Sequence, residues 1–438
     1  MNTYCFATAA CISLFLIGCK AQPAATVMDF QALERDFRSG YEALDVPAFG
    51  IAYVDNLAAI AAPEEVKRQA VFFKKMASNL RSIDPARLTA EQYRDYRVMA
   101  YETELNLARL ELEATWNEAP PEVINTGGLS TIPNGKAWYR YFLKKWVDLS
   151  VEPDSLYAFG LQEVKQVKAS MLAIAQRKGR QPADFHRQLS APERYFNSAA
   201  EVQAACEKLH QHLLTTLPKF FPEIENIPPL DIAAGTDEKL AQVPGFYRNQ
   251  AFFYNYFDRP FEKRQIGWLY THEGLPGHHY ERNYTRQFAS RSPITKLFHY
   301  SSYAEGWAAY IEEIGHEFGA YPTDLDEYGK WEWDLIRSLR VPMDIGLNYY
   351  GWTDEEALLF WQQHSTGLDD IARREIARMR RWPAQVITYK YGAETFLRWQ
   401  RSAARQKDFD WIGFHAQVLQ YGPLPLSLLE ELVAKEKS

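Results

Sequence analysis

The residues most able to do chemistry are concentrated at positions 271–281, where the sequence reads THEGLPGHHYE. His272 and a later histidine offer imidazole nitrogens, Glu273 is a candidate general base, and Glu305 follows farther along the chain. Two histidines and one glutamate are the protein ligands of many catalytic zinc sites, in which water takes the fourth position. The residue types and their order therefore predict a zinc-dependent hydrolase.

The spacing of the histidines departs from the common HExxH motif. In HExxH the second histidine follows by four residues, so that both imidazoles reach one ion. Here Pro276 occupies that position, and the next histidines are His278 and His279. Pro276 and Gly277 predict a break in the helix, since proline lacks an N–H and glycine tolerates unusual dihedral angles. A bulge of two residues would return His278 to the place of a second ligand, although the spacing also fits a polar helix end without a metal.

Longer motifs surround this segment. The run HEGLPGHH at 272–279 resembles HExxPGHH, the hallmark of the bacterial family known as domain of unknown function 885. The run EGWAAYIE at 305–312 resembles the second hallmark of that family, and similarity continues in RVPMDIGLNYYGWT, WPAQVITYKYG and GPLPL. The resemblance implies a zinc metallopeptidase of the gluzincin type.

The resemblance also implies a ligand set, which we predict to be His272, His278 and Glu305. Mainly helical metallopeptidases similar to thimet oligopeptidase and Taq carboxypeptidase carry glycine just before the second histidine, as in Gly277-His278 here. His279 is the alternative ligand and would otherwise lie beside the metal or the substrate.

Four further side chains are candidates for supporting roles. Glu273 would take a proton from water and pass it to the leaving amine. By resemblance and chemical type, Tyr389 and Arg340 are candidates to stabilise an oxyanion, although a structural role fits Tyr389 equally well. Glu312 lies seven residues after Glu305, on the same helix face, and would either orient a ligating histidine or be a solvated charge.

Other residues of the motifs leave alternatives open. Arg340 and Asp344 are four residues apart, so they could simply pair with each other. Asn348 stands where the family often has histidine. The basic run between Arg373 and Arg381 could hold a substrate carboxylate, but a solvated helix face is favoured.

Composition bounds the class of protein. The chain has 438 residues, 47% of them hydrophobic, which is enough for a large core. Its net charge of -7 disfavours nucleic acid as the main partner, because phosphate binding needs a basic surface. Cys206 is the only cysteine after Cys19, so we expect a core thiol and no disulfide in the mature protein.

The first residues predict export and lipidation. Residues 1–18 carry no charged side chain and read as an export signal. They end in LIGC, which resembles the bacterial lipobox and implies that Cys19 carries lipid; an ordinary secretory signal is the alternative. Lys20 fits sorting to the outer membrane. We expect a tether at 19–28 and one domain at 29–438, bound to the membrane on its periplasmic face through the lipid alone.

The rest of the chain has mainly helical patterns. Pro63 with two following glutamates predicts a helix start, and the run TAEQ at 89–92 predicts a capping box. The aromatic stretch 245–257 predicts strands. Together with the resemblance, this predicts a mainly α fold, with two helical lobes around a deep cleft and a small β-sheet next to the metal helix, whose edge strand would bind the substrate backbone.

The predicted function is a Zn2+-dependent hydrolase that cleaves short or unfolded peptides in the cell envelope. One alternative is a lipoprotein that keeps the metal pocket for ligand binding or structure; Glu273 argues against it, because a structural site needs no general base. The other is an amidohydrolase acting on cell-wall or other non-peptide amides, which the sequence does not separate from a peptidase.

Overall fold

A computed structural model describes residues 29–44, 46–47, 50, 52–116, 127–177, 185, 188–189, 191–257, 260–289 and 291–435. The predicted signal at 1–18, the lipidated Cys19 and the tether at 19–28 lie outside these residues. The described chain is mainly helical with two small sheets, as the sequence predicts. None of the described helices is both long enough and apolar enough to cross a membrane.

Sixteen α-helices within the described ranges make up most of the fold. They are α1 Phe30–Ala43, α2 Tyr53–Ala58, α3 Pro63–Arg81, α4 Ala90–Trp116, α5 Gly135–Trp146, α6 Pro153–Gln176, α7 Ala199–Thr216, α8 Ile266–Glu273, α9 His278–Gln287, α10 Ser301–Glu313, α11 Asp324–Ile345, α12 Asp354–His364, α13 Asp369–Arg381, α14 Ile387–Ala403, α15 Trp411–Leu419 and α16 Leu426–Lys435. A π-helical segment, Gly346–Tyr350, extends α11.

The predicted helix-start signals are confirmed. Pro63 is the first residue of α3, where its missing N–H has no partner to lose. Before α4, the Gln92 N–H donates to Oγ1 of Thr89 at 3.2 Å, and the Thr89 N–H donates to Oε1 of Gln92 at 3.1 Å. This reciprocal pair is the predicted capping box, and it satisfies two backbone donors at the helix start.

Strands form where the aromatic stretch predicts them. The larger sheet has the order β2–β4–β3, with β2 Asp231–Ala234, β3 Gly245–Arg248 and β4 Ala251–Tyr254. β3 and β4 are an antiparallel hairpin whose two turn residues, Asn249 and Gln250, both have positive φ, as a type I′ turn requires. A second sheet pairs β1 Tyr195–Phe196 with β5 Phe261–Glu262. β3 is therefore an edge strand, and it precedes α8 in the chain.

Buried apolar side chains form two large clusters. The first includes residues of α7 to α10, the larger sheet and the C-terminal helices, and the second includes residues of α5, α6, α11 and α12. Trp333 of α11 packs against both clusters and stacks on Trp268 of α8, with ring centroids 4.5 Å apart. Cys206 is buried and free, in agreement with the prediction of a core thiol.

α10 and α14 approach each other closely at a pair of glycines. A Cβ on Gly306 would lie 2.5 Å from Cα of Gly392, which is too close for any side chain. This packing fixes α10, which carries Glu305, against α14, which carries Tyr389.

Candidate metal centre

The helix that carries the first histidine is broken where the sequence predicts. α8 ends at Glu273, and α9 begins at His278. Gly277 has a ψ of -131°, outside the helical range, and a Cβ on it would lie 2.0 Å from the carbonyl oxygen of His272 and 2.2 Å from that of Thr271. Only glycine fits this approach, so the residue before His278 is dictated by backbone contact.

A tryptophan of the second motif secures the break. The indole Nε1 of Trp307 donates to the carbonyl oxygen of Pro276 at 3.0 Å. Trp307 is fully buried and lies on α10, two residues after Glu305. The loop between α8 and α9 is thus held by the helix that supplies the predicted third ligand.

The three predicted ligands come together. His272, His278 and Glu305 each offer one donor atom, and these atoms all lie within 4.8 Å of one another. Oε2 of Glu305 is 3.6 Å from Nε2 of His272 and 3.4 Å from Nε2 of His278. Zinc bonds of about 2.0–2.2 Å in a tetrahedron give ligand–ligand edges of about 3.3–3.6 Å. The donor set and its spacing therefore fit a zinc ion.

A buried carboxylate orients the first histidine. Oε1 of Glu312 lies 2.6 Å from Nδ1 of His272, and the other oxygen of Glu312 accepts from Nη1 of Arg337. Arg337 also places Nη2 3.3 Å from Nδ1 of His272. When neutral His272 donates its Nδ1–H to Glu312, its Nε2 lone pair is left for a metal.

His279 lies apart from these donors. Its Nε2 is 3.0 Å from the carbonyl oxygen of Pro228, and its Nδ1 is 3.2 Å from the hydroxyl of Tyr247. Burial lowers the pKa of His279 to about 4, so the ring is neutral at physiological pH. Both ring nitrogens of His279 are thus engaged by groups outside the cluster of three donors.

Hydrogen bonds within the cluster favour the ionised form of Glu305. Burial opposes ionisation of Glu305, but hydrogen bonds from His272 and His278 outweigh it and hold the pKa of this carboxyl well below its usual range. Burial also opposes protonation of His272, yet Glu305 and Glu312 together raise the pKa of His272 to about 9. A cation is thus favoured between these groups.

Glu273 lies next to the cluster and is half-buried. Burial raises its pKa, while His272 and His278 act in the opposite direction. The backbone N–H of Tyr247, a residue of the edge strand β3, also acts to lower the pKa of Glu273, so it lies close to this carboxylate. The edge strand β3 therefore lies beside the C-terminal end of α8.

The ring of Tyr389 lies beside the ring of His272. The two rings are nearly parallel, with centroids 6.2 Å apart. The Tyr389 hydroxyl accepts from Nη2 of Arg378 at 3.3 Å, and Arg378 also donates to Oε1 of Gln385 at 2.7 Å. The guanidinium of Arg340 lies 5.7 Å from the centroid of the Tyr389 ring, but its Nε donates to Glu375 at 2.9 Å.

Two of the open alternatives receive an answer from these contacts. Arg340 pairs with Glu375 and not with Asp344, which accepts from the Tyr139 hydroxyl at 2.7 Å and the Ala384 N–H at 2.9 Å. The expectation that the basic run is a solvated face is wrong in part. Arg373 and Arg381 are exposed, but Arg378 faces Tyr389 because α13 packs against the C-terminal part of α11.

Asn348 lies on the π-helical segment and is buried. Its Nδ2 donates to the carbonyl oxygens of Asp344 at 3.2 Å and Met379 at 3.1 Å. Asn348, the residue that departs from the family pattern, thus links α11 to α13 through hydrogen bonds.

Three residues of the site were not anticipated from the sequence. Arg337 lies three residues before Arg340 on α11, so helical periodicity was an available signal. Arg378 belongs to the basic run, but nothing in the run distinguishes it from its neighbours. Tyr247 enters through its backbone, which no side-chain pattern reveals.

The chain matches one known protein family and is similar to solved structures. A family described as "Bacterial protein of unknown function (DUF885)" matches residues 111–433. A solved structure of a candidate lipoprotein from Colwellia psychrerythraea is 21% identical, with a TM-score of 0.65 over 87% of this chain and 69% of that one. A candidate lipoprotein of unknown function from Shewanella oneidensis is 14% identical, with a TM-score of 0.67 over 93% of this chain and 100% of that one. At such identities the likeness shows a common fold alone. No curated protein matches the chain.

Proposed function

We propose that this chain, which belongs to the bacterial family DUF885, is a zinc-dependent hydrolase that cleaves peptide bonds of short or unfolded peptides in the cell envelope. The observation that carries the proposal is the spacing of three donor atoms on three helices, α8, α9 and α10. Distances of 3.4 and 3.6 Å from Glu305 to the two histidines match the edges of a zinc tetrahedron. His272, His278 and Glu305 would hold the ion.

Such an ion would polarise the scissile carbonyl and lower the pKa of water. The chain's own residues supply the remaining functions. Glu273 takes a proton from the attacking water and passes it to the leaving amine, for which its raised pKa suits it. Tyr389 donates its hydroxyl hydrogen to the developing oxyanion, while Arg378 holds that hydroxyl in place. Glu312 and Arg337 fix the His272 ring.

The edge strand supports a peptide as the substrate. Backbone groups alternate in direction along a strand, so Gly245 and Tyr247 share one direction. Because the Tyr247 N–H already faces Glu273, an extended peptide added to this edge of β3 would pass beside the general base. The gluzincin-like arrangement of two helical lobes around a cleft is part of this proposal.

The location in the envelope is also proposed. The two structural relatives are described as candidate lipoproteins, and Cys19 ends a lipobox-like run in this sequence. A lipid on Cys19 would hold the domain at the periplasmic face of the outer membrane, with no other membrane contact.

The experiment that tests the proposal is cleavage of a peptide library by zinc-loaded protein, with and without chelator, followed by mass spectrometry. Glu273→Gln should abolish cleavage while keeping the metal, because the general base is lost and the ligands remain. Glu355→Gln is the matched control, since Glu355 is exposed on α12, and it should cleave as the wild type does.

Other results would contradict the proposal in different ways. Zinc binding without cleavage of any peptide or amide would favour a non-catalytic metal-binding lipoprotein. Cleavage of cell-wall or small non-peptide amides alone would favour an amidohydrolase. Cleavage that survives both chelator and Glu273→Gln would place the active site elsewhere.

A further inference from the structure

A cavity of about 700 Å³ lies beside the predicted metal ligands. Arg282 and Arg286 of α9 line one wall, and α9 begins with His278. Arg282 follows His278 by four residues, which places its Cα about 6 Å along the helix axis. Ala304, the residue before Glu305, lines the cavity as well. The cavity therefore borders both helices that supply the second and third ligands.

The lining of this cavity is strongly basic. The cationic or basic residues that line it are Arg282, Arg286, Arg291, Lys296 and His299. Two of these residues donate to uncharged groups: Arg286 to Oδ1 of Asn283 at 3.4 Å, and Arg291 to the carbonyl oxygen of Thr295 at 2.9 Å. The chain as a whole carries a net charge of -7, so this local excess of positive charge runs against its average.

One carboxylate, that of Glu281, also lines the cavity. Burial raises the pKa of Glu281, and its Oε1 is occupied by the hydroxyl of Thr285 at 2.8 Å. The charges of His278, Arg282 and Arg291 act in the opposite direction on this pKa. One carboxyl group thus faces three guanidinium groups and one ammonium group in the lining, which leaves an excess of positive charge. The cavity is thus suited to an added anion.

The packing around Arg291 indicates a built site. Nε of Arg291 is buried and has no hydrogen-bond partner among the described residues. A buried donor without an acceptor is costly and rare in folded proteins. Gly422, with a φ of 66°, makes a tight turn against this wall, where a Cβ would lie 3.4 Å from Cδ of Arg291 and 3.2 Å from Cγ2 of Thr285. The C-terminal GPLPL segment therefore supports the basic wall.

The cavity shares neighbours with the metal centre. The charges of Glu305 and His278 both act on His299, which lines the cavity. The guanidinium of Arg282 lies 5.2 Å from the centroid of the Tyr247 ring, and the backbone N–H of Tyr247 lies close to Glu273. A peptide bound along β3 would thus place the residues next to its cleaved bond beside the basic side chains of the cavity.

We propose that this cavity is a subsite that binds a carboxylate of the substrate, and that the protein prefers peptides with a carboxylate near the cleaved bond. This inference rests on the hydrolase function proposed above. The carboxylate comes either from an acidic side chain or from the C-terminus of a short peptide, since guanidinium groups bind both in the same way. Acidic peptides are thereby selected by a protein whose average charge repels them.

The test measures binding apart from cleavage. Four rhodamine-labelled peptides of one sequence would carry either Glu or Gln and either a free or an amidated C-terminus. Their binding to zinc-loaded Glu273→Gln protein would be followed by fluorescence anisotropy. The test variant adds Arg282→Gln and Arg286→Gln. The control adds Arg373→Gln and Arg381→Gln, which remove two exposed arginines of α13.

We expect the test variant to weaken binding of carboxylate-bearing peptides about tenfold, and the control to stay within about twofold. The fully amidated Gln peptide should bind all variants alike, and the peptide that loses affinity identifies the source of the carboxylate. Lys296→Gln, at another exposed position of the lining, should weaken the same peptide and guards against misfolding of the double variant. Equal binding of all four peptides by the Glu273→Gln protein and by the test variant would overturn the subsite. Selective binding without cleavage in the Glu273-containing protein would instead overturn the hydrolase function and leave the subsite standing.

Discussion

Gly277→Ala tests whether the break between α8 and α9 sets the position of the second ligand. A Cβ at this residue would lie 2.0 Å from the carbonyl oxygen of His272, whereas Cβ contacts essentially never fall below 3.0 Å. The backbone must therefore open by at least 1.0 Å, the difference between these two distances. His278 is the next residue, and metal–ligand distances tolerate only about 0.2 Å. Loss of a well-placed ligand should weaken zinc binding by about 100-fold or more.

The assay is a competition titration with a chromophoric zinc chelator at fixed pH. Gly50→Ala is the matched control, because the nearest atom to its Cβ would be Oδ1 of Asn56 at 3.8 Å, an ordinary contact. Circular dichroism of both metal-free variants separates a local shift from unfolding. A Gly277→Ala protein that is folded and binds zinc as tightly as the wild type would refute the reasoning from the backbone contact.

Three further predictions concern the supports of the site and the pH dependence of stability. Glu312→Gln should weaken zinc binding by about 10–100-fold, because the carboxylate that orients His272 is lost. Glu313→Gln is the control, since Glu313 is the next residue and pairs with Lys330. This variant should lower stability but leave zinc affinity unchanged in the same titration. Trp307→Phe removes the hydrogen-bond donor to Pro276. It should lower the free energy of unfolding, measured by urea denaturation, by about 1–2 kcal/mol, and it should weaken zinc binding less than Gly277→Ala does. Unchanged stability and zinc affinity would contradict the role of the indole. Burial raises the pKa of Asp344 from 3.8 to about 7. The folded state therefore holds this proton more tightly than the unfolded state, and stability falls as the pH rises from about 4 to about 7. Asp344→Asn should remove that fall. Its unfolding free energy relative to the wild type should therefore be higher at pH 8 than at pH 4 by about 4 kcal/mol, since the shift is about three pKa units and each is worth about 1.4 kcal/mol. Parallel pH profiles would contradict this.

Local signals in the sequence predict the parts of this fold that depend on neighbouring residues. The capping box at Thr89, the start of α3 and the break at Pro276 each follow from the backbone chemistry of one short segment. The aromatic stretch similarly predicts the hairpin beside the metal centre, although its I′ turn uses Asn249-Gln250 and lacks the usual glycine.

The arrangement around the ligands depends on distant parts of the chain and could not be predicted in this way. The choice between two adjacent histidines rests on the Gly277 loop and on Pro228, which binds His279 from 51 residues away. Arg337 reaches His272 across 65 residues. Helical periodicity places Arg337 on the same face of α11 as Arg340, but it does not say which other helix packs against that face.

We propose above that His272, His278 and Glu305 bind one zinc ion. Its most direct test is the zinc content of three proteins after loading and gel filtration: the wild type, His278→Ala and His279→Ala. Both histidines are buried, so each variant removes an imidazole of similar burial, and only one is a predicted ligand. We expect one zinc per chain in the wild type and in His279→Ala, and none in His278→Ala. Zinc retained by His278→Ala, or absent from the wild type, would contradict it.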